Sequence, residues 1–165
     1  MSDRRCMNVG GIGMDVDVLE RCSRGKMQGK LKYFISLTKS VFAFKGYPVT
    51  VIIDGKEEKH NALLVDICNG KVYGGGIPIC PRADVEDGKI SAMIVDNIKG
   101  KFALIKALLT LMKGKMLEYP KTSYYLCDEV IIKPDKPCIS QLDGELYPDL
   151  DFHAKIKTGL KFYRP

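Results

Sequence analysis

Val49-Thr-Val-Ile-Ile-Asp-Gly-Lys-Glu-Glu-Lys-His-Asn-Ala-Leu-Leu-Val-Asp-Ile-Cys-Asn-Gly70 is the stretch on which the fold turns. Val49 to Ile53 is β-branched and alternating, and Asp54-Gly55 has the residue choice of a two-residue hairpin turn. Ala62 to Cys68 is a second apolar run of strand length, closed by a further turn at Asn69-Gly70. The segment therefore predicts two strands joined by a hairpin.

Strand signals continue downstream. Ile90 to Val95 reads as a strand, and strands resume at Tyr124. Glu129 to Lys133, Cys138 to Leu142, Glu145 to Tyr147, Asp151 to Ile156 and Leu160 to Tyr163 follow, separated by Pro134-Asp-Lys-Pro137, Asp143-Gly144 and Thr158-Gly159. Helical spacing is confined to a few places. Residues 31, 34, 35, 38, 41 and 42 follow one helix face until Gly46 and Pro48 stop it, and Phe102 to Met112 lies between Gly100 and Gly114. A shorter helix is expected over Asp15 to Cys22. Many short strands with turns between them and no strict βαβ alternation predict a mainly β (α+β) fold. Its form is a two-layer antiparallel β-sandwich, or a barrel-like core, with two or three accessory helices.

The bulk numbers agree. With 165 residues and 45% apolar composition, the chain suits one core. Residues 1–4 offer nothing to pack or cap and stand outside the expected single domain, residues 5–165. No apolar run reaches the length of a spanning helix or resembles a signal peptide, so a cytosolic protein is expected. Six cysteines contain no Cys-x-x-Cys pair, and both histidines, His60 and His153, lie far from any cysteine. This argues against a zinc site and a disulfide framework. Cys68 reads as a small buried hydrophobe. The net charge of +6 favours phosphate-bearing partners without the density of a nucleic-acid binder. Lysines from Lys99 to Lys121 make a solvated helix face, or one that rests on an anionic membrane surface.

Three places concentrate glycine and acid. Asn8-Val-Gly-Gly-Ile-Gly-Met-Asp15 fits neither the dinucleotide fingerprint nor the P-loop, and reads as a tight strand-to-helix turn. In the segment Asn69 to Gly88, Gly74 to Gly76 permit close approach of backbone or ligand. Asp84, Glu86 and Asp87 there form either a solvated acidic turn or a hard-cation site. Gln141-Leu-Asp-Gly-Glu145 is an ordinary hairpin turn by itself. Its two carboxylates, at the tip of a rigid hairpin, are also placed to take a proton from a hydroxyl and to hold a metal near a transferring phosphoryl group.

In order, Asn69-Gly70, Tyr73-Gly-Gly-Gly76, Pro81-x-Ala83-x3-Asp87-Gly88, Gly114-Lys115 and Leu142-Asp-Gly-Glu145 resemble the C-terminal domain of the bacterial diacylglycerol-kinase-like lipid kinases, relatives of the sphingosine and ceramide kinases. Asn8 to Asp15 is similar to that family's segment just after its domain junction, so the likeness covers nearly the whole chain. The resemblance implies an ATP- and Mg2+-dependent transfer of a γ-phosphoryl group to the hydroxyl of a diacylglycerol-like lipid. It implies Asp143 as the general base, Glu145 with Asn69 and Gly70 on the nucleotide side, and Asp87 with the backbone at Asp84 and Lys89 as a structural metal site.

The family's Gly-Gly-Asp-Gly-Thr motif is absent from these 165 residues. The resemblance therefore implies that activity requires a nucleotide-binding domain as partner. A non-catalytic lipid- or protein-binding sandwich derived from such a kinase is the alternative, and a kinase of the NAD-kinase type is more distant. Peripheral membrane association is expected. A homodimer is one expected form, because a sheet edge left open where another domain docks invites association.

Overall fold

The computed structural model describes residues 4–24, 35, 38–40, 43, 45–74, 76–148 and 152–159, with backbone alone at 21–24. Nine strands and two named α-helices follow in the order β1 (Val9–Gly13), α1 (Met14–Arg24), β2 (Tyr47–Ile53), β3 (Lys56–Cys68), β4 (Ile90–Asp96), α2 (Lys101–Met112), β5 (Thr122–Cys127), β6 (Glu129–Pro134), β7 (Ile139–Leu142), β8 (Glu145–Pro148) and β9 (Phe152–Lys155). A 3-10 turn at Met116–Glu118 links α2 to β5. Residues 35, 38–40 and 43 are helical. The rest of the helix expected from Leu31 lies outside the described residues, as do Asp151 and the strand expected over Leu160 to Tyr163.

Among the described residues the strand pairings are all antiparallel, and they join the nine strands into one sheet. Ala62 pairs with both Tyr47 and Asp96, and Leu64 with both Gly13 and Val95. β4 therefore runs along one edge of β3, with β5 outside it, while β2 and β1 follow one another along the other edge. From there β2 leads to β6 and β9, and β1 to β7 and β8. The expected sandwich is thus a single sheet whose two branches curl toward each other. Ile12 and Leu142 from one branch and Val51, Val130, Ile132 and Phe152 from the other share one core. The opposite face of β1, β3 and β4 carries a second core, closed by Met14 and Val18 of α1, Leu104, Ala107 and Leu111 of α2, and Ile77 to Ala83.

β3 shows how sequence makes this shape. It begins at Lys56, six residues before the apolar run, because Lys56 to Asn61 alternate on a half-exposed ladder with β2. From Ala62 to Cys68 every residue is buried, since both faces of the strand are covered. The pairing with β4 slips between Ala62 and Leu64. As in a β-bulge, Leu63 and Leu64 both enter the helix-side core, whereas Ala62, Val65 and Ile67 face the other. Asp54-Gly55 closes the β2–β3 hairpin with both φ angles positive, 46° and 83°, as the primed turn requires.

Candidate functional site

The β7–β8 hairpin carries the sequence-predicted acid. Leu142 pairs with Glu145, leaving Asp143 and Gly144 as a two-residue turn with φ of 52° and 90°. The stem is rigid: Ser140, Gln141 and Leu142 are buried and pair with β1. Gln141 Oε1 accepts the Gly144 amide at 3.1 Å.

The Asp143 carboxylate reaches a segment far away in sequence. Oδ2 accepts the Met7 amide at 2.6 Å, and Oδ1 accepts the amides of Asn8 at 2.9 Å and Val9 at 3.0 Å. The Cys6 thiol adds a weaker contact to Oδ1 at 3.3 Å, and the Asp143 amide donates to the Val9 carbonyl at 2.9 Å. Burial opposes ionisation of Asp143, but these donors outweigh it and hold the carboxyl below the usual aspartate value. Burial beneath the hairpin and the neighbouring carboxylate push the Cys6 thiol up to about 12, although the residue keeps exposed surface.

Asn69 and Gly70 grip the same segment from the other side. Both amides donate to the Asn8 carbonyl, at 2.8 and 2.9 Å. Asn69 Nδ2 donates to the Met7 carbonyl and Asn8 Nδ2 to the Val72 carbonyl, each at 3.0 Å. A Cβ at Gly70 would lie 1.9 Å from Asn8 Oδ1, so any larger residue there would displace the Asn8 side chain. The structure thus brings Asn69, Gly70 and Asp143 together around residues 6–9, with these donors engaged by protein. Glu145 is exposed, its Oε2 accepting the Tyr147 hydroxyl at 2.6 Å. Arg4, which the sequence reading set aside, stacks over the Tyr147 ring at 4.2 Å.

Beside this junction a cavity of about 360 Å³ opens between the curled ends of the sheet. Ile67, Ile90, Leu142 and Phe152 line one part of it, and Arg4, Asn69, His153 and Lys155 line the rest with polar groups. Of the residues that grip Asp143, Cys6 and Asn8 also line the cavity.

Asp84, Asp87 and Lys89 lie in the loop before β4, away from the hairpin in the chain. Asp84 Oδ1 accepts the Glu86 amide at 3.0 Å, and Asp87 Oδ1 the Lys89 amide at 2.8 Å. The Lys89 side chain pairs with both carboxylate oxygens of Asp128 at 2.8 Å. Among the described residues no three Asp, Glu, His or Cys side chains gather as a metal cluster. A single carboxylate with backbone carbonyls still suits a hard cation chemically, since Asp87 Oδ2 is not used by the turn.

Sequence reasoning missed a buried acidic pair behind the site. Asp66 of β3 is fully buried, takes the Tyr73 hydroxyl on Oδ2 and leaves Oδ1 without a partner. Asp15, at the start of α1, is also buried, and Gln141 faces it without closing a hydrogen bond of normal geometry. Burial raises Asp15 to about 6. Burial first, and then the charge of Asp15, push Asp66 well above its ordinary value. The available signal was an aspartate inside the run Leu63-Leu-Val-Asp-Ile67. The glycines of Asn8 to Asp15 serve packing, as expected for a strand-to-helix turn: a Cβ at Gly11 would meet the Val65 carbonyl oxygen at 2.3 Å.

Residues 8–160 match the family model of the YegS C-terminal NAD kinase beta sandwich-like domain. A diacylglycerol kinase of Mycobacterium tuberculosis is 29% identical over 95% of this chain and 51% of its own length. A probable lipid kinase, YegS-like, of Stenotrophomonas maltophilia is 28% identical over 93% of this chain and 50% of its own. The chain thus spans about half the length of these relatives. A crystal structure of a Bacillus anthracis str. Sterne protein assigned as a diacylglycerol kinase superposes with a TM-score of 0.62 at 23% identity, over 91% of this chain and 47% of that one. At that identity the likeness concerns the fold.

Proposed function

Because the chain belongs to the YegS C-terminal NAD kinase beta sandwich-like domain family, we propose that it is the acceptor-side half of an ATP-dependent lipid kinase. The reaction is transfer of the γ-phosphoryl group to the hydroxyl of a diacylglycerol-like lipid, completed by a nucleotide-binding domain as partner. One observation carries this reading: an ionised Asp143 carboxylate, fixed by the amides of residues 7–9, stands next to Leu142 at the margin of a cavity lined in part by apolar side chains.

The cavity takes the apolar body of the lipid, and its hydroxyl approaches the hairpin. Oδ1 of Asp143 already accepts two amides and a thiol, whereas Oδ2 accepts Met7 alone. A carboxylate oxygen has about two lone-pair directions, so Oδ2 is the acceptor for the lipid hydroxyl. A carboxylate held below its usual pKa is a weak base. Its main work is then to orient the hydroxyl oxygen in line and to receive the proton late, which suits the loose transition state of phosphoryl transfer. Glu145, exposed beside the turn, would lie on the nucleotide side and hold a Mg2+ ion. Asp87, with carbonyls at Asp84 and Lys89, would hold a second, structural cation. Mg2+ bound with ATP neutralises phosphate charge.

The test is phosphoryl transfer from labelled ATP to mixed lipids, with this chain alone and with a relative's nucleotide domain added. Product formed only in the combined sample, and lost with Asp143→Asn, supports the reading. No product from a verified, folded complex would overturn it in favour of a lipid-binding module, which the same cavity would serve.

A further inference from the structure

The outward face of α2 is apolar. Leu104, Ala107 and Leu111 point into the helix-side core, yet Phe102 is 89% exposed, Ile105 42%, Leu109 56% and Met112 43%. Their spacing of three, four and three residues keeps them on one stripe, about 80° wide at about 100° per residue and about 15 Å long at a rise of about 1.5 Å. A helix that is apolar on both sides is normally covered on both. Scattered exposed apolar residues need no explanation, whereas an aligned stripe headed by a nearly bare phenylalanine does.

The charges around the stripe identify the cover. Residues 97–117 contain five lysines, at 99, 101, 106, 113 and 115, and no acid. Taken around the helix, Lys106 and Lys113 border one side of the stripe and Lys101 the other. This is the pattern of a helix lying in a membrane interface, its apolar side chains below the headgroups and its lysines reaching anionic phosphates. A second copy packed face to face would oppose five lysines with five, which disfavours self-association through this surface.

We propose that α2 is a membrane-docking face. It seats the domain on an anionic phospholipid surface by inserting Phe102, Ile105, Leu109 and Met112, with flanking lysines on the headgroups. No described helix is long and apolar enough to cross a membrane, so the contact is a surface one. The inference deepens the lipid-kinase reading by bringing the domain to where its substrate resides, but the binding itself is measured without turnover.

Vesicle flotation of the purified chain tests it, using phosphatidylcholine vesicles with and without phosphatidylglycerol. Binding is expected only with phosphatidylglycerol and should weaken as salt is raised. Phe102→Ser with Leu109→Ser should lower the partition coefficient at least about tenfold. Lys101→Gln and Lys106→Gln should each lower it about fivefold. These exposed sites leave the fold intact, which an unchanged circular dichroism melt verifies. No binding to anionic vesicles would overturn the proposal, as would equal binding by the serine double variant. So would a dimer, or a complex with an added nucleotide domain, that the serine variant dissolves while vesicles stay unbound. Vesicle binding without phosphoryl transfer in the combined-domain assay would leave this inference standing and remove only the kinase reading.

Discussion

Changing Asp143 to asparagine and to alanine tests whether its carboxylate is the clamp that joins the β7–β8 hairpin to residues 6–9. Asparagine can keep Oδ1 on the amides of Asn8 and Val9 but turns its NH2 toward the Met7 amide, which now donates to Oδ2 at 2.6 Å. One charge-assisted bond is replaced by two opposed donors. A hydrogen bond to a charged group contributes about 1.5–3 kcal/mol, and water can reach the exposed Met7 amide, so a loss of about 2 kcal/mol is expected. Alanine removes the acceptor from all three amides, including the part-buried one of Val9. It also leaves at φ of 52° a residue without the short polar side chain that lets aspartate and asparagine tolerate the left-handed region, which costs about 1 kcal/mol. The expected total is about 4 kcal/mol. Urea unfolding at neutral pH, with the slope unchanged, reads both values. Losses within about 0.5 kcal/mol of zero, or equal losses for the two variants, would refute the clamp. The pH dependence provides a second reading. Asp143 sits below its ordinary value of 3.8, so its contribution is present above that value and lost as pH falls through the lowered one. The gap between wild type and Asp143→Ala should therefore close in strong acid. Since asparagine leaves the domain folded, loss of phosphoryl transfer by that variant reports on chemistry.

Asp15 and Asp66 should give the opposite slope. Both are raised in the folded state, Asp15 to about 6, so stability is highest below the ordinary value and is lost as pH rises through about 6. Asp15→Asn should stabilise the chain at pH 8 by up to about 3 kcal/mol and flatten the fall of the melting temperature between about pH 4 and 6; an unchanged slope would show that the pair does not carry it. Gly11→Ala should cost about 3 kcal/mol or more, because its β-carbon would meet the Val65 carbonyl oxygen of a central strand, and a near-normal urea midpoint would contradict this packing. If Asp87 holds a structural cation, millimolar Mg2+ or Ca2+ should raise the melting temperature by a few degrees in wild type and not in Asp87→Ala. Identical responses would dismiss the site.

Much of the architecture was legible because it rests on local chemistry. Asp54-Gly55 and Asp143-Gly144 both form the primed turns their residues favour, and Gly114, with φ of 69°, ends α2 where the pattern placed a stop. Ala62 to Cys68 is the buried central strand its unbroken apolar run suggested, and Cys68 is a wholly buried residue within it. The acids and glycines of the candidate site were each visible as residue types in turns. Their roles were less so. Asn69 and Gly70 emerge as the anchor of residues 7 and 8, and Arg4, set aside as a loose start, stacks against the hairpin.

The amino-acid sequence by itself determined which segments are strands, where the chain reverses, and which acids stand at turn tips, because φ preference and period-two patterning act over a few residues. Tertiary structure alone decided that Asp143 meets Met7, 136 positions away, that Asp15 and Asp66 share one buried interior, and that the outer side of α2 is left without a protein partner among the described residues. Those outcomes depend on how the two branches of the sheet curl toward each other and on which elements pack over β3, and no local propensity encodes which distant surfaces such a fold brings together.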